Sequence, residues 1–285
     1  MLNSVSVQRE ITRSKKRRKR QLGGLGLLVA TAVLLALLWS GVPKEPSGAA
    51  VAIAGPGTPL NIVRENAQVL QAEAWRRTLH AARGPVRVGL QVGHEDVAAH
   101  PNELAQLRWN TGGHANGVDE VDLNRSVAEA LRVQLEAQGV AVDLLRATPP
   151  PGYYADLMLS LHTDSVTDPE RRGYKSATFA PVRNPLEPQL KETIDRAYYA
   201  VSGLPNDHHN TTENMYRYYA FNGRYRHSVH PGTPALIVEL GYLSSAEDMA
   251  FLSVPKRPAA ALSRGVIQFL QERGRLPAER ATAED

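Results

Sequence analysis

Four short runs, VRVGLQV (86–92), VAVDLL (140–145), ADLMLSL (155–161) and ALIVEL (235–240), are largely apolar and of strand length. Near-continuous apolar runs this short suit strands buried on both faces rather than half-exposed ones. Between them lie stretches of helical period. In the clearest, Leu123, Val127, Leu131 and Leu135 recur every fourth residue and Gly139 ends the run. Residues 186–202 read as a second helix. Residues 257–273 read as a third, with Pro258 in its first turn, a stripe of Leu262, Val266, Phe269 and Leu270, and Gly274 after it. YKSATFA (174–180) is a further candidate strand. Strands alternating with helices predict an α/β fold with a mostly parallel central sheet flanked by helices. Such sheets bind ligands beyond the carboxyl ends of their strands.

The N-terminal part obeys different rules. Residues 1–20 carry eight Lys and Arg against Glu10 alone, a local charge of +7. The whole chain carries +4, so the other 265 residues sum to −3. The body is not basic, and composition gives no argument for nucleic acid as a partner. From Gln21 to Pro43 no residue is charged, and Trp39 stands near the far end. That length approaches the roughly 20 residues a helix needs to span a bilayer. The preceding basic cluster predicts a cytoplasmic N-terminus and Trp39 at the opposite interface. We therefore expect a basic cytoplasmic segment (1–20), a transmembrane anchor or signal (21–42), a Pro/Gly/Ala-rich linker (43–60) and one catalytic domain (61–285) outside the cytoplasm. The domain's first element is expected to be a helix at 61–82. A cleavable signal is the competing reading, and it would make the protein secreted.

Polar residues with chemical potential sit at the ends of the apolar runs. His94 follows VGLQVG, His162 follows LMLSL, and Glu239 lies within ALIVEL. Glu120 opens the amphipathic helix, three residues before Leu123, and so leans toward its core face. A parallel sheet would bring all four to one edge. The chain has no cysteine, so a metal would need His and carboxylate ligands, a set that suits an open zinc site. Glu239 is then available for proton transfer. The residues are far apart in sequence, and each has a structural reading that stays open: histidines hydrogen-bonded at strand ends, a carboxylate favoured at a helix N-terminus, a glutamate in an ion pair. Asp122, Asn124 and Asp164 lie close enough to orient such ligands. His208, His209, His227 and His230 fall in loop-like sequence. Tyr153, Tyr154, Tyr216, Tyr218 and Tyr219 read as packing residues.

Over residues 86–274 the chain resembles the zinc-dependent N-acetylmuramoyl-L-alanine amidases of bacterial cell-wall turnover. The resemblance rests on Gly93-His94 after a strand, on EVDLNRSVAEALRVQLEAQG (120–139), on Ser160-Leu161-His162, and above all on ALIVELGYLSSAEDMAFL (235–252). It implies zinc held by His94, Glu120 and His162, with Glu239 as the catalytic carboxylate. It also implies hydrolysis of the amide joining N-acetylmuramic acid to L-alanine in peptidoglycan. The sequence departs from the family's pattern at Leu90-Gln91-Val92, where a Pro and an acidic residue are usual. It departs again at Glu95-Asp96-Val97, where a Gly-rich step is usual, and in the long segment between His94 and Glu120. A peptidoglycan-binding relative without activity, and a zinc amidohydrolase or peptidase acting on another amide, are the alternatives. A protein activator stays open as a further partner.

Overall fold

The computed structural model describes residues 84–278 apart from Pro169. The expected basic segment, membrane span, linker and first helix lie outside the described residues. Among the described residues, no helix is long and apolar enough to cross a membrane.

The central sheet has five strands: β1 (Arg87–Val92), β4 (Ala141–Leu145), β5 (Leu157–Asp164), β6 (Lys175–Ala177) and β7 (Ala235–Tyr242), in the order β4-β1-β5-β7-β6. The first four are mutually parallel, and β6 runs antiparallel to β7 along the far edge. Two-residue strands β2 (His114–Ala115) and β3 (Val118–Asp119) form a small hairpin before helix α1 (Glu120–Glu136). The remaining helices are α2 (Glu187–Ser202), the short α3 (Glu213–Tyr216), α4 (Ala246–Leu252) and α5 (Lys256–Glu272). The mostly parallel α/β sheet expected from the sequence is therefore present.

Side-chain alternation gives the sheet two different faces. Val88, Leu90 and Val92 of β1, Leu157, Leu159 and Leu161 of β5, and Leu236, Val238 and Leu240 of β7 share one core with the stripes of α1, α2 and α5. Helices α2 and α5 approach closely at Gly265, where a Cβ would come within 3.0 Å of the Ile194 backbone. The opposite residues, Met158, Ile237 and Ala177 among them, meet Met215, Tyr218, Phe221 and Val229 in a second core. This second face is covered by loops and short turns rather than by long helices.

Two elements differ from expectation. The strand expected at 174–180 shrinks to Lys175–Ala177, because its ends bond elsewhere. The Tyr174 N–H donates to Pro205, and the Ala180 N–H donates to Tyr216. Helix α4 was not anticipated, although its start is written in the sequence. The Ser245 hydroxyl accepts from the Asp248 N–H as an N-cap, which is the Ser-x-x-Asp pattern of a helix start.

Candidate metal centre

The site is assembled at the carboxyl ends of β1, β5 and β7. Beyond β1, the Gly93 N–H extends the ladder by donating to the Leu161 carbonyl (2.9 Å). A side chain at 93 would clash, since its Cβ would lie 2.5 Å from Cε1 of His162. His94 then takes a left-handed backbone conformation (φ 64°), unusual for a residue with a side chain. Its ring is fixed by the Asn110 carbonyl, 2.7 Å from Nδ1. With a proton on Nδ1, the lone pair of Nε2 faces Glu120, 3.4 Å away.

Glu120 enters from the first turn of α1. Its Oε2 accepts from the Gly113 N–H (2.8 Å), and its Oε1 accepts from Asn124 Nδ2 (3.2 Å) and the Thr163 N–H (3.3 Å). Thr163 in turn donates its hydroxyl to Asn124 Oδ1 (2.9 Å). His162 brings Nδ1 to 3.1 Å from Glu120 Oε1. One nitrogen or oxygen from each of His94, Glu120 and His162 lies within 4.8 Å of the other two, so the group could hold a metal ion. Glu120 and His162 are buried. Burial alone would raise the Glu120 carboxyl, but the hydrogen bond from His162, both imidazoles and the Gly113 N–H outweigh it and hold it at about 2. Burial, helped by the neighbouring His162, pushes His94 below its ordinary value, so its imidazole is neutral and free to act as a ligand.

Glu239 stands beside His162 in the β5–β7 register and opposite Lys175 on β6. It lines the same cleft as His94, His162 and Asp164, a cavity of ≈410 Å³. Its Oε2 is shut off from solvent and has no hydrogen-bond partner. Burial, with Glu120 and Asp164 nearby, drives its carboxyl well above the ordinary range, and Lys175 only partly opposes this. The structure thus brings together all four residues singled out from the sequence.

The surrounding residues divide. Asn124 supports Glu120, whereas Asp122 turns outward to Arg125 (3.1 Å). Asp164 accepts from the buried Lys175 (2.6 Å) at the edge of the cleft. His208 is half-buried against Asp195 (2.9 Å) rather than solvated, and His227 bonds Glu103 (2.7 Å); neither lines the cleft. Sequence reasoning missed Tyr218, read as packing, whose hydroxyl lies 3.0 Å from His162 Nε2. It also missed His100, buried at the cleft wall and bonded to Thr148 (2.6 Å).

The fold and this cluster define a class, an α/β protein with a His-Glu-His centre and a buried carboxyl at the sheet's carboxyl edge. A family model described as N-acetylmuramoyl-L-alanine amidase matches residues 93–268, well over half of the chain. The chain belongs to that family and is an N-acetylmuramoyl-L-alanine amidase, a hydrolase of peptidoglycan. Among solved structures it is similar to the N-acetylmuramoyl-L-alanine amidase AmiC2 of Nostoc punctiforme (19% identity, TM-score 0.48, covering 66% of this chain and 98% of that one). It is also similar to an N-acetylmuramoyl-L-alanine amidase of Clostridium difficile 630 (17% identity, TM-score 0.49, 66% and 98%). A third is an N-acetylmuramyl-L-alanine amidase of Mycobacterium abscessus in its apo form (19% identity, TM-score 0.48, 65% and 98%). No curated protein matches the chain.

Proposed function

We propose that the amidase is zinc-dependent, with His94, Glu120 and His162 as ligands and Glu239 as the catalytic acid–base. The observation that carries this reading is the convergence of two imidazoles and one carboxylate within 4.8 Å on a cleft that Glu239 also lines. Two neutral nitrogens and one anionic oxygen form a donor set suited to an open zinc site. Zinc held there supplies Lewis acidity and makes hydroxide available near neutral pH. Glu239, which lines the cleft, would take the proton of an attacking water. The same carboxyl returns that proton to the departing L-alanine nitrogen. Asn124, Thr163 and Gly113 hold Glu120 in place, and Asn110 holds His94.

Residues 1–42 support a single-pass anchor, with the catalytic domain outside the cytoplasm and facing peptidoglycan. Secretion follows if the segment is cleaved.

The test is metal content together with product analysis. About one zinc per chain, and release from peptidoglycan of stem peptides bearing a free L-alanine amine, is the expected result. Zinc without that product would redirect the reading to another amide or to an activator-dependent enzyme. Absence of bound zinc from the purified, zinc-supplemented chain would overturn the metal centre.

A further inference from the structure

Behind His162 lies a buried polar network that the proposed chemistry leaves unused. Gln91 and Ser160 are wholly buried and Tyr218 nearly so. Tyr218 Oη sits 3.0 Å from His162 Nε2, 3.0 Å from Ser160 Oγ and 3.1 Å from Gln91 Oε1. The direction of the network follows from counting hydrogens. The Gln91 amide nitrogen donates to the Ala147 carbonyl (2.5 Å), so Gln91 Oε1 faces Ser160 and Tyr218 as an acceptor only. The single Ser160 hydrogen goes to that oxygen, its shortest contact at 2.6 Å. Tyr218 has one hydrogen, and the acceptors within its reach are His162 Nε2, Gln91 Oε1, the Ser160 Oγ whose own hydrogen is already committed, and, farther off at 3.4 Å, Tyr219 Oη.

His162 has two neutral tautomers, and the network pairs its Nε2 in both. With the proton on Nδ1, the imidazole donates to Glu120 Oε1 (3.1 Å) and Nε2 accepts from Tyr218. With the proton on Nε2, the imidazole donates to Tyr218 Oη, and the tyrosine hydrogen swings to Gln91 Oε1. Only the second tautomer leaves the Nδ1 lone pair facing Glu120 and His94, where a metal would sit. The proton count is the same in both, so a rotation of the phenol hydrogen accompanies the exchange, and in the second tautomer a metal would be the partner of the Nδ1 lone pair.

We infer that Tyr218 is a positioning residue that, with Gln91 as its acceptor, stabilises the Nε2–H tautomer of His162 and so makes its Nδ1 available to the metal. The inference rests on the zinc reading above and deepens it. It also gives a purpose to Gln91, a wholly buried polar side chain of β1. A glutamine oxygen accepts the tyrosine hydrogen without adding a second negative charge behind the ligand.

The experiment compares zinc affinity of the full chain, measured by competition with a chromogenic chelator, among wild type and three variants. Tyr218→Phe leaves the Nε2–H buried without an acceptor and should weaken zinc binding about 10- to 100-fold, the range found when a ligand's supporting partner is lost. Gln91→Leu keeps the phenol and removes one of its acceptors, with Ser160 Oγ still in reach, and should weaken binding by less. Ser160→Ala leaves Gln91 Oε1 to accept from Tyr218 and should change binding by no more than about threefold. Nitrogen-15 shifts of His162 in the zinc-loaded wild type should report a protonated Nε2. If wild type binds zinc and Tyr218→Phe binds it equally well, the relay is overturned and the metal centre stands. If Tyr218→Phe is poorly folded, the nitrogen-15 shifts of zinc-loaded wild type decide, and a protonated Nδ1 on His162 overturns the relay. A wild-type chain that binds no zinc removes the metal centre and the relay together.

Discussion

Strand β5 reads Leu157-Met158-Leu159-Ser160-Leu161-His162-Thr163-Asp164, and its two faces live in different environments. One face gives three leucines and then Thr163 to the helices; the other gives Met158, Ser160, His162 and Asp164 to the loop-covered side. Strand β7 repeats the division, with Leu236, Val238 and Leu240 against Ala235, Ile237 and Glu239. On the helix face, burial is apolar almost to the carboxyl end, and stability comes from area removed from water. On the loop face the strands begin apolar and end polar, and each buried polar group needs a named partner. The same backbone therefore serves as a core on one side and holds chemistry on the other. Damage to the two sides should be separable.

The largest effect is expected on the loop face. Glu239→Gln keeps the shape of the side chain and removes proton transfer. Turnover of peptidoglycan should fall about 10²- to 10⁴-fold, the usual contribution of a general acid–base. Zinc content and thermal midpoint should stay near wild type, because Glu239 makes no hydrogen bond through Oε2 that the fold depends on. Retained turnover would remove Glu239 from the mechanism.

Phe269→Ala is the counterpart on the helix face. Phe269 is 1% exposed in the core shared by α5 and the sheet. Its truncation should cost about 3–5 kcal/mol in urea unfolding. Zinc affinity of the molecules that remain folded should not change. A loss of zinc binding in parallel with stability would show the two faces to be coupled.

The helix face was legible because period carries it. The stripes of α1 and α5 announce themselves at a spacing of four, and β1, β5 and β7 as short, near-continuous apolar runs. His94, His162 and Glu239 stood out for a related reason, and the resemblance to the amidases, with Glu120 at a helix start, gave the four their roles. Polar residues that interrupt or end an apolar run must be satisfied by something, and a parallel sheet collects such interruptions at one edge. Tyr218 and His100 were not legible, because the segments carrying them have no period. Their contacts to His162 and Thr148 depend on loop paths that no local pattern specifies. Gln91 and Ser160 are intermediate: each is a polar residue of the same parity as His162 in its strand, a signal that was available and not used.

Gly93→Ala tests the join between the faces. The added Cβ would lie 2.5 Å from His162 Cε1 and 2.6 Å from the Leu161 carbonyl, so the ring or the strand end must move. Overpacking of this kind should cost about 1–3 kcal/mol. If the imidazole gives way rather than β5, zinc affinity falls while most of the stability survives. Circular dichroism melts and chelator competition on the same preparation separate these outcomes.

The smallest effect concerns how the loop face is fastened. Glu103, on the 3-10 turn at Asn102–Leu107, accepts from the Arg226 N–H (2.9 Å), the His227 N–H (2.9 Å) and His227 Nδ1 (2.7 Å). It clasps the segment after His94 to the segment after Tyr219. Hydrogen bonds from the Arg226 backbone, the His227 ring and the His227 backbone hold its carboxyl at about 2 against an ordinary 4.5. A depressed carboxyl is stabilising while it stays ionised. The contribution is complete above pH 4.5, shrinks as the unfolded chain begins to take up the proton, and is gone once pH falls through 2. Glu103→Gln abolishes this titration, so its stability should fall less steeply than wild type between pH 4.5 and 2, and the two curves should run parallel above that range. Parallel curves throughout would mean that the clasp contributes nothing to folding. The loop face would then be held by its small apolar core, by the network around Gln91 and by bonds such as those from Arg183 to the His230 and Thr233 carbonyls.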